Sequence, residues 1–108
     1  MSGSASQTPV VSPDYLSAMR QYLRITAVDF DGEITALVLA ARKDLTLSGV
    51  LPERATDETD PLIQRAVATY VKAEFGLDNE DAENYRAAYA RLKTALALAS
   101  EYVSGGEA

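Results

Sequence analysis

Apolar residues recur at helical spacing in four separate stretches of this chain, and nothing reads convincingly as a β-sheet. In the first stretch Tyr15, Leu16, Met19, Tyr22 and Leu23 form a stripe behind Ser12-Pro13-Asp14. There a hydroxyl can cap free amides, proline sits where no donor is needed, and an acid lies in the positively polarised first turn. In the second, Ile34, Leu37, Val38, Ala41 and Leu45 follow the acidic start Asp29-Phe30-Asp31-Gly32-Glu33 and stop before Gly49, a candidate C-cap. The third opens with the cap Asp60 and Pro61 and closes at Gly76. It places Ile63, Ala66, Val67, Tyr70 and Val71 on one face, with Arg65, Thr69 and Lys72 on another.

The fourth stretch carries two apolar sides. Tyr85, Tyr89, Leu92, Leu96, Ala99 and Val103 form a continuous seam, while Ala88, Ala95, Leu98 and Tyr102 form a second stripe toward the C-terminal end. Leu96 and Leu98 fall roughly 200° apart on a helix that turns about 100° per residue. Such a helix is either buried within its own fold or has a second partner. Ala95, Leu98 and Tyr102 are therefore candidate protein-interface residues, with the first seam holding the chain's own core.

These patterns predict helices near 13–24, 29–48, 60–75 and 79–103, sharing a core of Leu37, Val38, Ala41, Ile63, Val67, Tyr70, Tyr89 and Leu92. The fold class is all-α, a small four-helix bundle-like domain with a long C-terminal helix. Residues 24–28 read as a short extended connection. Residues 50–59 show neither helical nor alternating spacing and read as a loop, longer than most connections in helical domains. Long ordered loops are often functional, and Glu53, Arg54, Asp57 and Glu58 supply charges that could meet a neighbouring chain. Residues 1–11 read as a flexible arm, 12–103 as one helical domain, and 104–108 as a flexible tail.

At 108 residues, 47% of them apolar, the chain can bury one small core. It contains no Cys and no His, which removes disulfides, thiolate metal sites and the commonest general base. Asp29, Asp31 and Glu33 alternate as the first ligands of a calcium loop do, but the required glycine is out of place and the twelfth position is Ala40, so they read as a helix start. No Ser-x-x-Lys spacing offers an activated nucleophile. The expectation is no enzyme, no catalytic residue, no metal and no cofactor.

Ten basic and sixteen acidic side chains give a net charge of −6, with no basic run longer than Arg42-Lys43. A grip on nucleic-acid phosphates needs a basic face. Six tyrosines invite a base-stacking platform, but Tyr15, Tyr22, Tyr70, Tyr85 and Tyr89 fall on the predicted core stripes, and a platform also needs a basic groove. No apolar run is long enough to span a bilayer, so the chain reads as soluble and intracellular.

Two runs then carry a resemblance. Tyr22-Leu23-Arg24-Ile25-Thr26, followed by acids and Ile34-Thr35-Ala36-Leu37-Val38-Leu39-Ala40-Ala41-Arg42, resembles the opening of the head–tail connector proteins of tailed phages. Asp60-Pro61-Leu62-Ile63-Gln64-Arg65-Ala66, with the run from Tyr70 to Asn79, is similar to the second half of that family in its prophage branch from Gram-positive bacteria. The resemblance implies an all-α, non-catalytic virion protein at the head–tail junction, assembled in the bacterial host cytoplasm. Its partners would be the portal protein, copies of itself in a ring, dodecameric in the virion, and the next connector or tail protein. DNA would only pass through the channel, and no membrane is involved. On that implication the loop with Glu53, Arg54, Asp57 and Glu58 lies at a subunit boundary or the channel mouth. The alternative is a small dimeric helical regulator or antitoxin-like binding module, which would need a basic recognition helix; the best candidate, bearing Arg86, Arg91 and Lys93, is preceded by four acids.

Overall fold

A computed structural model describes residues 11–76 and 79–104. All of the expected arm but Val11, most of the expected tail, and the first two residues of the break at Leu77-Asp78-Asn79 lie outside the described residues. Six helices follow in order: α1 (Pro13–Leu23), α2 (Asp31–Leu47), α3 (Pro52–Ala55), α4 (Pro61–Glu74), α5 (Ala82–Leu98) and α6 (Ser100–Val103). The architecture is all-α, with no strand among the described residues.

Local chemistry sets the helix ends. The Ser12 hydroxyl accepts from the Tyr15 amide at 3.1 Å, and the Asp60 carboxylate accepts from the amides of Leu62 and Ile63 at 2.9 and 3.3 Å, so α1 and α4 begin on side-chain caps with proline just inside. Gly76, at a φ of +83°, turns the chain away beyond α4, and Gly49, at +116°, does so beyond α2. Arg24 takes the left-handed conformation after α1 without being glycine, at a φ of 62°. It is held there by turn hydrogen bonds from its own amide to Gln21 and from the Ile25 amide to Arg20. The connection is thus a helix-ending turn where extended chain was expected.

The central element is α4, which packs against α1, α2 and α5. Its Ile63, Ala66, Val67 and Val71 are buried with Met19 of α1, Ile34, Val38, Ala41 and Leu45 of α2, and Tyr89 and Leu96 of α5. Of the expected core, Leu37, Tyr70 and Leu92 are half-buried and pack against it.

Three expected boundaries are corrected. The acids at 29–33 do not cap α2, whose N-cap is Phe30 with no side-chain hydrogen bond. Asp31 instead takes both its oxygens to Arg20, at 2.7 and 2.8 Å, and Phe30 packs edge-on against Phe75. The stretch 50–59 is not a bare loop: Pro52 starts the one-turn helix α3, Val50 and Ala55 are buried, and the Leu51 amide donates to the Tyr102 carbonyl at 2.8 Å. One turn is too short to leave a periodic signal. The last helix starts at Ala82 and breaks at Ala99, where ψ is 123°, so the expected single helix is α5 followed by the short α6.

Candidate interaction surface

The break at Ala99 separates the two side chains that the sequence placed together. Leu98, the last residue of α5, is 80% exposed, and Ala95 one turn back is exposed as well. Tyr102 is only 5% exposed: the break redirects α6 so that its ring joins the core and its hydroxyl donates to both oxygens of Asp60, at 2.9 and 3.2 Å. Burial and that acceptor push the Tyr102 hydroxyl up to about 12. Tyr102 is therefore a core residue, and the outward surface keeps Ala95 and Leu98. Leu47, at 75% exposure, and the half-exposed Leu39 add apolar surface on the outer side of α2. The sequence signal for them was the apolar richness of 37–47 beyond a single stripe.

The strap from Val50 to Asp60 splits its charges between inside and outside. Glu58 points inward, where its oxygens accept from the Ser12 amide at 3.0 Å and from the Ser12 hydroxyl, and it pairs with Arg42 at 3.1 Å. Arg42 is almost wholly buried, and its guanidinium lies 5.3 Å from the centre of the Tyr15 ring. The expectation that Glu58 faces a neighbour is therefore corrected, because Ser12 and Arg42 already engage it within the chain. Asp57 folds the strap locally, accepting from the Thr59 amide and hydroxyl at 2.9 and 2.6 Å. Glu53 is exposed and Arg54 half-buried.

A second polar junction fastens α2 to α5: Tyr89 and Lys93 both donate to one oxygen of Asp44, at 2.6 and 3.1 Å. Burial acts to raise the carboxyls of Asp44 and Glu58, but the hydrogen bonds of Tyr89 and Lys93, and those of Ser12 and Arg42, outweigh it and hold both below the usual range. A carboxyl whose pKa is depressed by folding adds stability that is complete above its unfolded value, about 4, and drains as pH falls through the folded value. The thermal midpoint is thus expected to stay level from pH 7 to about 5 and to fall below about 4, in a chain with no histidine to titrate between. A midpoint that already drops between pH 7 and 5 contradicts this assignment.

Among the described residues no three Asp, Glu, Cys or His side chains gather where they could hold a metal ion. No described helix is long and apolar enough to cross a membrane.

A family model described as phage connector protein matches residues 15–103, from early in α1 to the last residue of α6. The chain belongs to that family. It is a connector, a structural protein of phage particles, and its kind points to a component of the virion that contacts other head or tail proteins. No curated protein and no solved structure matches the chain.

Proposed function

We propose that copies of this connector form a ring beneath the portal, dodecameric in the virion, extending the DNA channel and giving the next connector or tail protein its docking surface. Family membership supports the reading, and the single structural observation that carries it is Leu98, a large apolar side chain held outward beside Ala95 at the end of a core-forming helix. A large apolar side chain left in water gains by burial against another protein. A net charge of −6 suits a conduit, because a lumen that repels phosphate lets DNA slide. Assembly takes place in the host cytoplasm, before or as tails join.

The regulator reading has no support in the arrangement of α5. Arg86 is tied to Glu74 and Glu83, and Lys93 to Asp44, so two of the three cations of the candidate recognition helix are already neutralised.

Burying Leu98 against the portal or a neighbour would contribute about 2 kcal/mol, near thirty-fold in each contact, and a ring multiplies it. Leu98→Ser should leave helicity and thermal midpoint unchanged but abolish attachment to portal-bearing heads, scored by sedimentation of heads and by DNA leakage. Normal attachment of a folded Leu98→Ser protein would place docking elsewhere.

A further inference from the structure

Eight of the ten basic side chains of this acidic chain are either paired or gathered, Lys43 on α2 and Arg54 in the strap standing outside both groups. Arg20, Arg42, Arg86 and Lys93 stand in ion pairs with Asp31, Glu58, Glu74 and Asp44. Four others, Arg24, Arg65, Lys72 and Arg91, line two adjoining hollows of about 280 and 370 Å³ at the surface where α4, α5 and the end of α1 meet. The hollows share Lys72 and Tyr85, and the Lys72 ammonium lies 4.8 Å from the centre of the Tyr85 ring. No described Asp or Glu lines either hollow, and none forms an ion pair with these four cations. Tyr22, placed on the first core stripe by the sequence pattern, is instead partly exposed at the rim.

This is a basic groove in a chain of net charge −6. Arg65 and Lys72 are two turns apart on α4, about 10 Å of helix rise, which suits a segment bearing several negative charges better than one small anion. The chain displays such a segment on another surface. The hydrogen bond from the Leu51 amide to the Tyr102 carbonyl joins the strap to α6, which brings the exposed Glu53 and Glu101 and the half-exposed Asp57 to one edge, with the half-buried Arg54 as the one cation among these acids.

We propose that the groove of Arg24, Arg65, Lys72 and Arg91 receives the acidic edge of a second copy, with Glu53, Asp57 and Glu101 entering it. The choice of a second copy rests on the ring reading above. Groove and edge are different surfaces, so the contact is heterologous: each copy leaves one groove and one edge for the next, and the series closes into a ring or runs on. Two copies of like net charge repel overall, and this docking turns that repulsion into a selection of register.

Because the chain has no native cysteine, Ala88→Cys in the groove and Ser100→Cys beside Glu101 give a direct test on portal-bearing heads and in free solution, each variant checked for unchanged helicity. The expected result is a disulfide-linked dimer when the two variants are mixed, and a ladder from the double variant. Adding Lys72→Glu with Arg91→Glu should lower the cross-link about ten-fold or more, and Glu53→Lys with Glu101→Lys on the opposing copy should restore it. Copies that load on heads without cross-linking would overturn the pairing and leave the ring reading standing. Cross-linking in solution without loading would uphold the pairing and remove the ring beneath the portal. If no cross-link forms in either setting, the pairing fails. In that case binding of a short DNA duplex, lost on Lys72→Glu with Arg91→Glu, would assign the groove to DNA.

Discussion

Tyr102→Ser should lower the thermal midpoint by on the order of 15 °C, whereas Leu98→Ser, four residues earlier, should leave it in place. The difference follows from position alone. Tyr102 is buried and its hydroxyl is bound to the carboxylate that also caps α4. Truncating a buried aromatic costs about 3–5 kcal/mol, and in a domain of this size each kcal/mol moves the midpoint by about 4–8 °C. Serine is too short to reach Asp60, so the cap also loses its second support. Tyr102→Phe isolates the hydrogen bond and should cost about 1 kcal/mol. Equal midpoints for the serine variants at 98 and 102 would mean that Tyr102 does not pack against the core.

Glu58→Ala should be nearly as damaging, although Glu58 is a partly exposed acid in a surface strap. Its removal takes from the buried Arg42 guanidinium, beside Tyr15, the carboxylate it pairs with, and breaking a buried pair from one side costs about 3–5 kcal/mol. It also releases the Ser12 amide and hydroxyl at the start of α1. A midpoint lowered by on the order of 10 °C or more is the expected reading. The double change Arg42→Met with Glu58→Leu should recover most of the loss, since an apolar pair needs no compensation. A double variant no better than Glu58→Ala would show that the strap is held by something other than this ion pair.

The legible parts of this fold are those with repetition or punctuation. Ser12-Pro13, Asp60-Pro61 and Gly76 announced their helix ends because each cap is a chemical signature within three residues. The stripes through Val38, Ala41, Ile63, Val67 and Tyr89 announced the core because burial recurs every three or four positions. The break at Ala99 left no mark, since alanine favours helix, and the contacts that hold α6 in its redirected place, Tyr102 with Asp60 and with the Leu51 amide, are tertiary. The destination of Glu58 was equally hidden: its partners, Ser12 and Arg42, are distant in sequence, and an acid in a polar stretch looks the same whether it faces water or a guanidinium. The basic groove was invisible for the same reason, its four cations being scattered over residues 24–91.

The hydrogen bond from Leu51 to Tyr102 also makes the strap and the last turn of the chain a single cooperative unit. The Leu51 amide can exchange with solvent only when α6 lifts, so its protection reports an opening at the far end of the sequence. A partner that grips residues 100–103 and draws them outward would free the Leu51 amide and withdraw the Tyr102 ring from the core in the same event. The connector thereby has one segment that opens as a unit, at the cost of the Tyr102 burial and its bond to Asp60, and a clip of α6 by a protease would be felt first at Leu51.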